Sequence, residues 1–159
     1  MAGLFFQFNS DPFTLVEVDT SWRTLGILKA AVNHRYNLSL WGVHGRGTVN
    51  SDKPVRFRLI RTSDDGVGGT NKSTEIGKKN TAFPEAATGV IFVGPFSTEP
   101  AIFGNQLRGM LVHPQQPADL PSLERAEYQI GGGERLALQW NNEGGTANLI
   151  FEFEFHWEE

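Results

Sequence analysis

The chain of 159 residues contains no cysteine. That absence removes disulfides, a thiolate nucleophile and cysteine-ligated zinc together. No stretch approaches the ~18 apolar residues of a membrane-spanning helix, and Met1 to Phe8 lacks both the positive region and the apolar length of a secretory signal. The expectation is a protein made in a cytoplasm without membrane contact. The sequons at Asn37-Leu38-Ser39 and Asn71-Lys72-Ser73 then read as chance matches. Positive charge is scarce as well: 14 Lys and Arg against 18 Asp and Glu leave a net charge of −4. A general nucleic-acid binder presents a basic face, so nucleic acid is not an expected partner.

Aromatic residues are what the chain has in quantity. Twelve Phe, 4 Trp and 2 Tyr bring large area per residue to a composition that is only 39% hydrophobic, which suits the thin core of a two-layer β structure. The length fits one domain. The strongest local signal is the final run, where Leu149, Phe151, Phe153, Phe155 and Trp157 alternate with Ile150, Glu152, Glu154, His156 and Glu158. Strict alternation of this kind is a strand with one buried and one mostly wet face. Burying five such side chains is worth roughly 1.5–3 kcal/mol each, and a one-residue slip would bury the glutamates, so the register is tightly specified.

Upstream, β patterns fall on Phe13–Val18, Arg35–Val43, Pro54–Thr62, Gly89–Val93, Leu107–His113, Ala126–Ile130 and Arg135–Asn141. Trp22 to Val32 fits either a helical stripe or a bulged strand, and Gly26 with the short length favours the strand. Ser63 to Thr81 is polar, glycine-bearing and aperiodic, a long loop of the kind that is functional or mobile. Gly131-Gly132-Gly133 reads as a turn or bulge at unusual backbone angles that primes a closing hairpin. The sum is an all-β chain: a single-domain antiparallel β-sandwich, jelly-roll-like, over residues 13–159, preceded at residues 1–12 by an N-terminal arm or a first strand.

Chemical motifs are weak. His34, His44, His113 and His156 show no paired metal-ligand spacing, so no metal or cofactor is expected. Glu152 and Glu154 stand about 7 Å apart on one strand face, where solvated acids are commoner than a glycosidase pair. The segment Gly66 to Ser73 puts Asn71 where a phosphate-binding loop needs glycine, and no helix follows. Arg56, Arg58 and Arg61 form a short basic stripe, blunted by Asp64 and Asp65. No catalytic residues are assigned, and the expectation is a non-enzyme. Association is suggested instead by the aromatics crowding the N-terminus. The candidate interface residues are Phe5, Phe6, Phe8 and Phe13, with Asp64, Asp65, Lys72, Lys78 and Lys79 from the polar loop.

Val112-His113-Pro114, Tyr128-Gln129-Ile130, the glycine triplet, Arg135-Leu136-Ala137-Leu138 and the terminal Phe155-His156-Trp157-Glu158-Glu159 follow one another in an order that resembles a group of small β-sandwich proteins of tailed bacteriophages. Tyr36 to Val43, with its Trp41-Gly42-Val43 ending, resembles an early strand of that group. These elements cover about half the chain, and the group is similar to capsid decoration, or cement, proteins. The resemblance implies a virion structural protein, assembled in the host cytoplasm, that sits on the capsid exterior. It implies a homo-trimer bridging neighbouring subunits of the phage major capsid protein. The segment Ala2 to Phe8 departs from the group's usual start. A carbohydrate-binding module of a tail fibre or baseplate, stacking sugars on Trp22, Trp41 or Trp140, is the alternative.

Overall fold

A computed structural model describes residues 4–15, 19–46, 54–82, 84–113, 118–121, 128–142 and 149–159. Two antiparallel sheets pack face to face as a single-domain β-sandwich. The first holds β10 (Ala118–Pro121), β4 (Tyr36–Arg46), β13 (Leu149–Glu158), β1 (Phe5–Asn9) and β7 (Gly77–Lys78) in that order. In the same sheet β11 (Gln129–Ile130) lies beside β4 and β2 (Phe13–Leu15) beside β13. The second sheet runs β6 (Thr70–Asn71), β8 (Val90–Val93), β3 (Asp19–Lys29), β12 (Arg135–Asn142), β5 (Val55–Thr62) and β9 (Arg108–Val112). Among the described residues the one helical element is a single 3-10 turn, Ser73–Glu75.

The alternating final run is the middle of the first sheet: β13 pairs with β4 on one side and with β1 and β2 on the other. Leu149, Phe151, Phe153, Phe155 and Trp157 all point into the core, as the periodicity requires. The alternation breaks at the last rung. A register shift lies between His156 and Trp157, and Glu158, expected on the wet face, is buried.

The ambiguous Trp22–Val32 segment is strand through Lys29, and Gly26 has a packing reason to be there. A Cβ at that position would come closer than 3.0 Å to Cζ of Phe153, which reaches across from the facing sheet. Further along, the second sheet carries apolar residues on both faces. Leu28, Leu136 and Leu59 face the main core, while their sequence neighbours Ile27, Ala137 and Ile60 form a small outer cluster roofed by Phe96 with Phe92 against it.

Two expectations about connections are overturned. The glycine triplet does not prime a hairpin. β11 belongs to the first sheet and β12 to the second, so the turn carries the chain across the sandwich. Gly133 takes φ +82°, and a Cβ on Gly132 would collide with the carbonyl of Val32. β12 and β13 also lie in opposite sheets, for each needs a long partner on both sides. Nor is Ser63 to Thr81 a bare loop: β6 extends the second sheet, the 3-10 turn follows, and β7 edges the first.

Candidate functional site

The nine residues expected at an interface do not converge. β1 is an integral strand, paired through five rungs with β13 and on its other side with β7. Phe6 and Phe8 therefore fill the core, and their docking role is withdrawn: strand alternation turns both inward, 6.0 Å from Trp157 and 5.9 Å from Phe153 between ring centroids. Phe13 is half-buried against Phe153. Phe5 alone of the four is exposed, at 43%.

The charged candidates are structural fasteners. Asp64 accepts from the backbone N–H of Gly66 at 2.9 Å and of Ala101 at 3.2 Å, pinning one loop to another. Lys72 lies 2.6 Å from Glu75 and 3.4 Å from Asp11, and the Glu75 hydrogen bond raises its pKa. Lys78 Nζ donates to the carbonyl of Pro84 at 2.9 Å. Lys79 Nζ meets Nδ1 of His156 at 2.8 Å.

Asp65 is clamped between Lys29, at 2.6 Å, and Arg135, tying the loop to β3 and β12. Burial pushes its carboxyl upward, but the hydrogen bonds from Arg135 and Lys29 outweigh it and hold the pKa below the usual aspartate range. A depressed folded-state pKa contributes stability above the unfolded value of about 3.9, lost as pH falls through the folded one. Because the pair is partly exposed, Asp65→Asn should cost about 1 kcal/mol at neutral pH. In urea unfolding, that gap between wild type and variant should begin to narrow below about pH 4 and close only once the pH is under the depressed folded-state pKa. A gap that persisted in acid would mean the carboxylate's charge is not what stabilises.

On the outer face of the first sheet, Glu154 lies between His156 Nε2 at 3.1 Å and His44 Nε2 at 3.4 Å, and Arg46 meets Glu152 at 2.6 Å. The two imidazoles approach different oxygens of Glu154. Among the described residues no group of three His, Asp or Glu is placed to hold a metal ion. His156 thus bridges Lys79 at Nδ1 and Glu154 at Nε2.

The basic stripe and the sugar platforms fare similarly. Arg58 donates twice to Oε1 of Gln139, at 3.0 and 2.8 Å, and lies 4.0 Å over the Trp22 ring. Trp41 and Trp140 are buried, and half-buried Trp22 has a guanidinium on its face. Arg61 donates to the carbonyl of Gln129 at 2.7 Å.

Two surface features escaped the sequence reading. One is a set of exposed apolar side chains on the β5–β9 flank of the second sheet: Leu111 at 63%, opposite Arg56, and, about 17 Å further along β5, Phe103 at 62% and Ile102 at 51%. β9 is the terminal strand of that sheet, and the 102–103 segment continues along β5 through the Thr62–Ile102 bridge and the Phe103 N–H to Arg61 bond. The available signal was Met110-Leu111-Val112, three consecutive apolar residues on a strand with only one face to bury. The other is a slot of about 450 Å³ between the sheets, walled by Phe13, Leu15, Leu25, Val93, Phe96 and Trp140, with Arg23 and Glu99 as its charged members. Glu99 accepts from the Thr24 N–H at 2.8 Å and stands 4.0 Å from Arg23.

The chain matches no protein-family model, and no curated protein or solved structure is significantly similar to it.

Proposed function

We propose that the protein is a non-enzymatic phage virion component that decorates the capsid exterior as a homo-trimer and stabilises it by bridging neighbouring major capsid subunits. The observation that carries this reading is Leu111, 63% exposed on the terminal strand β9, with Phe103 and Ile102 exposed further along the same side of β5. Water-exposed apolar side chains on an edge strand favour a protein surface as partner. The sandwich beneath them has a dense aromatic core, with Phe57 and Phe151 meeting edge to face across the sheets. The resemblance of Val112-His113-Pro114, Tyr128 to Ile130 and Phe155 to Glu159 to phage decoration proteins supplies the capsid as that partner. Individually modest contacts, repeated by symmetry on one particle, add up to firm attachment.

The test is co-sedimentation with heads of the source phage assembled without this protein. Wild type should saturate them, and Leu111→Glu should weaken binding about 10–100-fold, the cost of placing a charge in a desolvated contact. Leu111 is exposed, so its unfolding midpoint should not move. Binding unchanged by the substitution would remove Leu111 from the capsid contact. Wild type that leaves bare heads undecorated would end the capsid reading.

A further inference from the structure

We infer that β9 is a site of strand addition: an extended, acidic segment of a partner protein pairs with its outer side and continues the second sheet. Only the identity of the partner rests on the capsid reading. The end strand of a sheet offers N–H and C=O groups that template another chain, and proteins ordinarily blunt such edges with shortness, charge or proline. The other three sheet ends are blunted in this way. β6 and β7 are two residues long, β7 closes on Lys78, and β10 holds Asp119 and closes on Pro121. β9 is not. It runs five residues, Arg108–Val112, with no proline, no lysine and no register shift against β5. Among the described residues no strand pairs with its outer side, and Leu111 stands 63% exposed on it. A strand turns the backbone polar groups of alternate residues to each side, so β9 can accept a second ladder opposite the one it makes with β5.

Charge sets the chemistry of the occupant. β5 and β9 together carry Arg56, Arg58, Arg61 and Arg108 and no Asp or Glu. Arg61 meets Glu134 at 3.4 Å. Arg58, paired with Gly109 in the ladder, gives its hydrogen bonds to the neutral amide of Gln139 and lies over Trp22, partners that leave its charge uncancelled. Strand alternation sorts the two faces. Val112 and Met110 lie opposite the buried Val55 and Phe57, while Leu111 and Gly109 lie opposite Arg56 and Arg58 on the outer face. Apolar residues of an added strand would extend the core-facing row. Carboxylates on its other face would stand toward Arg56 and Arg58, their methylenes over Leu111. A second copy fits less well, because pairing β9 with β9 gathers the arginines of both edges on one surface, where like charge opposes contact. The addition of an extended partner segment to an open sheet edge draws affinity from main-chain bonds and selectivity from alternate side chains.

The experiment is an NMR titration of the isotope-labelled full chain with short peptides. A peptide alternating valine and glutamate should bind saturably, with a dissociation constant of about 1 mM or tighter. It should shift the amides of β9 and slow hydrogen exchange at alternate ones. The counterpart with lysine in place of glutamate should bind at least about 10-fold more weakly. Methylating every backbone nitrogen of the glutamate peptide removes its ladder donors and should abolish binding. No saturable binding by the glutamate peptide, shifts that miss β9, equal binding by the lysine peptide, or binding that survives methylation would each overturn strand addition. Heads are assayed separately. Peptide binding by a protein that leaves bare heads undecorated would end the capsid reading and keep the edge site, whereas decorated heads without peptide binding would do the reverse.

Discussion

Deletion of residues 2–8 is expected to abolish folding, not to detach an arm. The deletion removes most of a strand lying between β13 and β7, with four of the five rungs of its ladder to β13. It also takes Phe6 and Phe8 out of the core. Truncating one such aromatic costs about 3–5 kcal/mol, so losing two, with their strand, approaches or exceeds the ~5–15 kcal/mol that holds a domain together. Circular dichroism and a thermal melt of the deleted protein decide it. A soluble product with the wild-type unfolding midpoint would show that β1 is dispensable. Phe8→Ala tests the same point in milder form and should lower stability by about 3–5 kcal/mol.

The next largest effect is expected from a single methyl group. Gly26→Ala would set a Cβ against the ring of Phe153, which has nowhere to go. Phe8, Phe13 and Phe155 hold that ring with centroids at 5.9, 6.1 and 5.4 Å. Overpacking of this sort costs about 1–3 kcal/mol, and the backbone between Leu25 and Ile27 has little freedom because Gly26 pairs with both Leu138 and Val93. Phe153→Leu should relieve the collision at its own cost in lost packing. Gly26→Ala should then be markedly less damaging in the Phe153→Leu background than alone, a coupling that urea unfolding of the four proteins measures. Additive costs would mean the two residues do not touch across the sandwich.

Strand positions were legible wherever one face is buried and the other wet. β4, β5 and β13 all announce themselves by period two, because water sorts their side chains. Sheet membership was not legible. Nothing in Gln129 to Arg135 distinguishes a turn that folds back within a sheet from one that crosses to the other, since glycine permits both. The outer cluster of Ile27, Ile60 and Ala137 was hidden for a related reason: its roof, Phe96, comes from a loop with no period to read. Phe6 and Phe8 were wrongly expected at the surface because aromatic density alone does not say which side of a sheet is covered. Phe6 and Phe8 look surplus until β13 is seen to bring Trp157 and Phe153 beside them.

The central place of β13 also bears on synthesis. β1, β2 and β4 all pair with a strand translated after them, so the nascent chain can make its second sheet from β3, β5, β8, β9 and β12 before the first sheet has a middle. Until Leu149 to Glu158 clears the ribosome, Phe6, Phe8, Leu38 and Trp41 must wait with their apolar surface uncovered. Long-range pairing of this kind folds late and slowly, and a prematurely terminated chain would be a sticky, assembly-incompetent fragment open to chaperones and proteases. Synthesis through β13 is thereby a condition of folding for the strands that precede it.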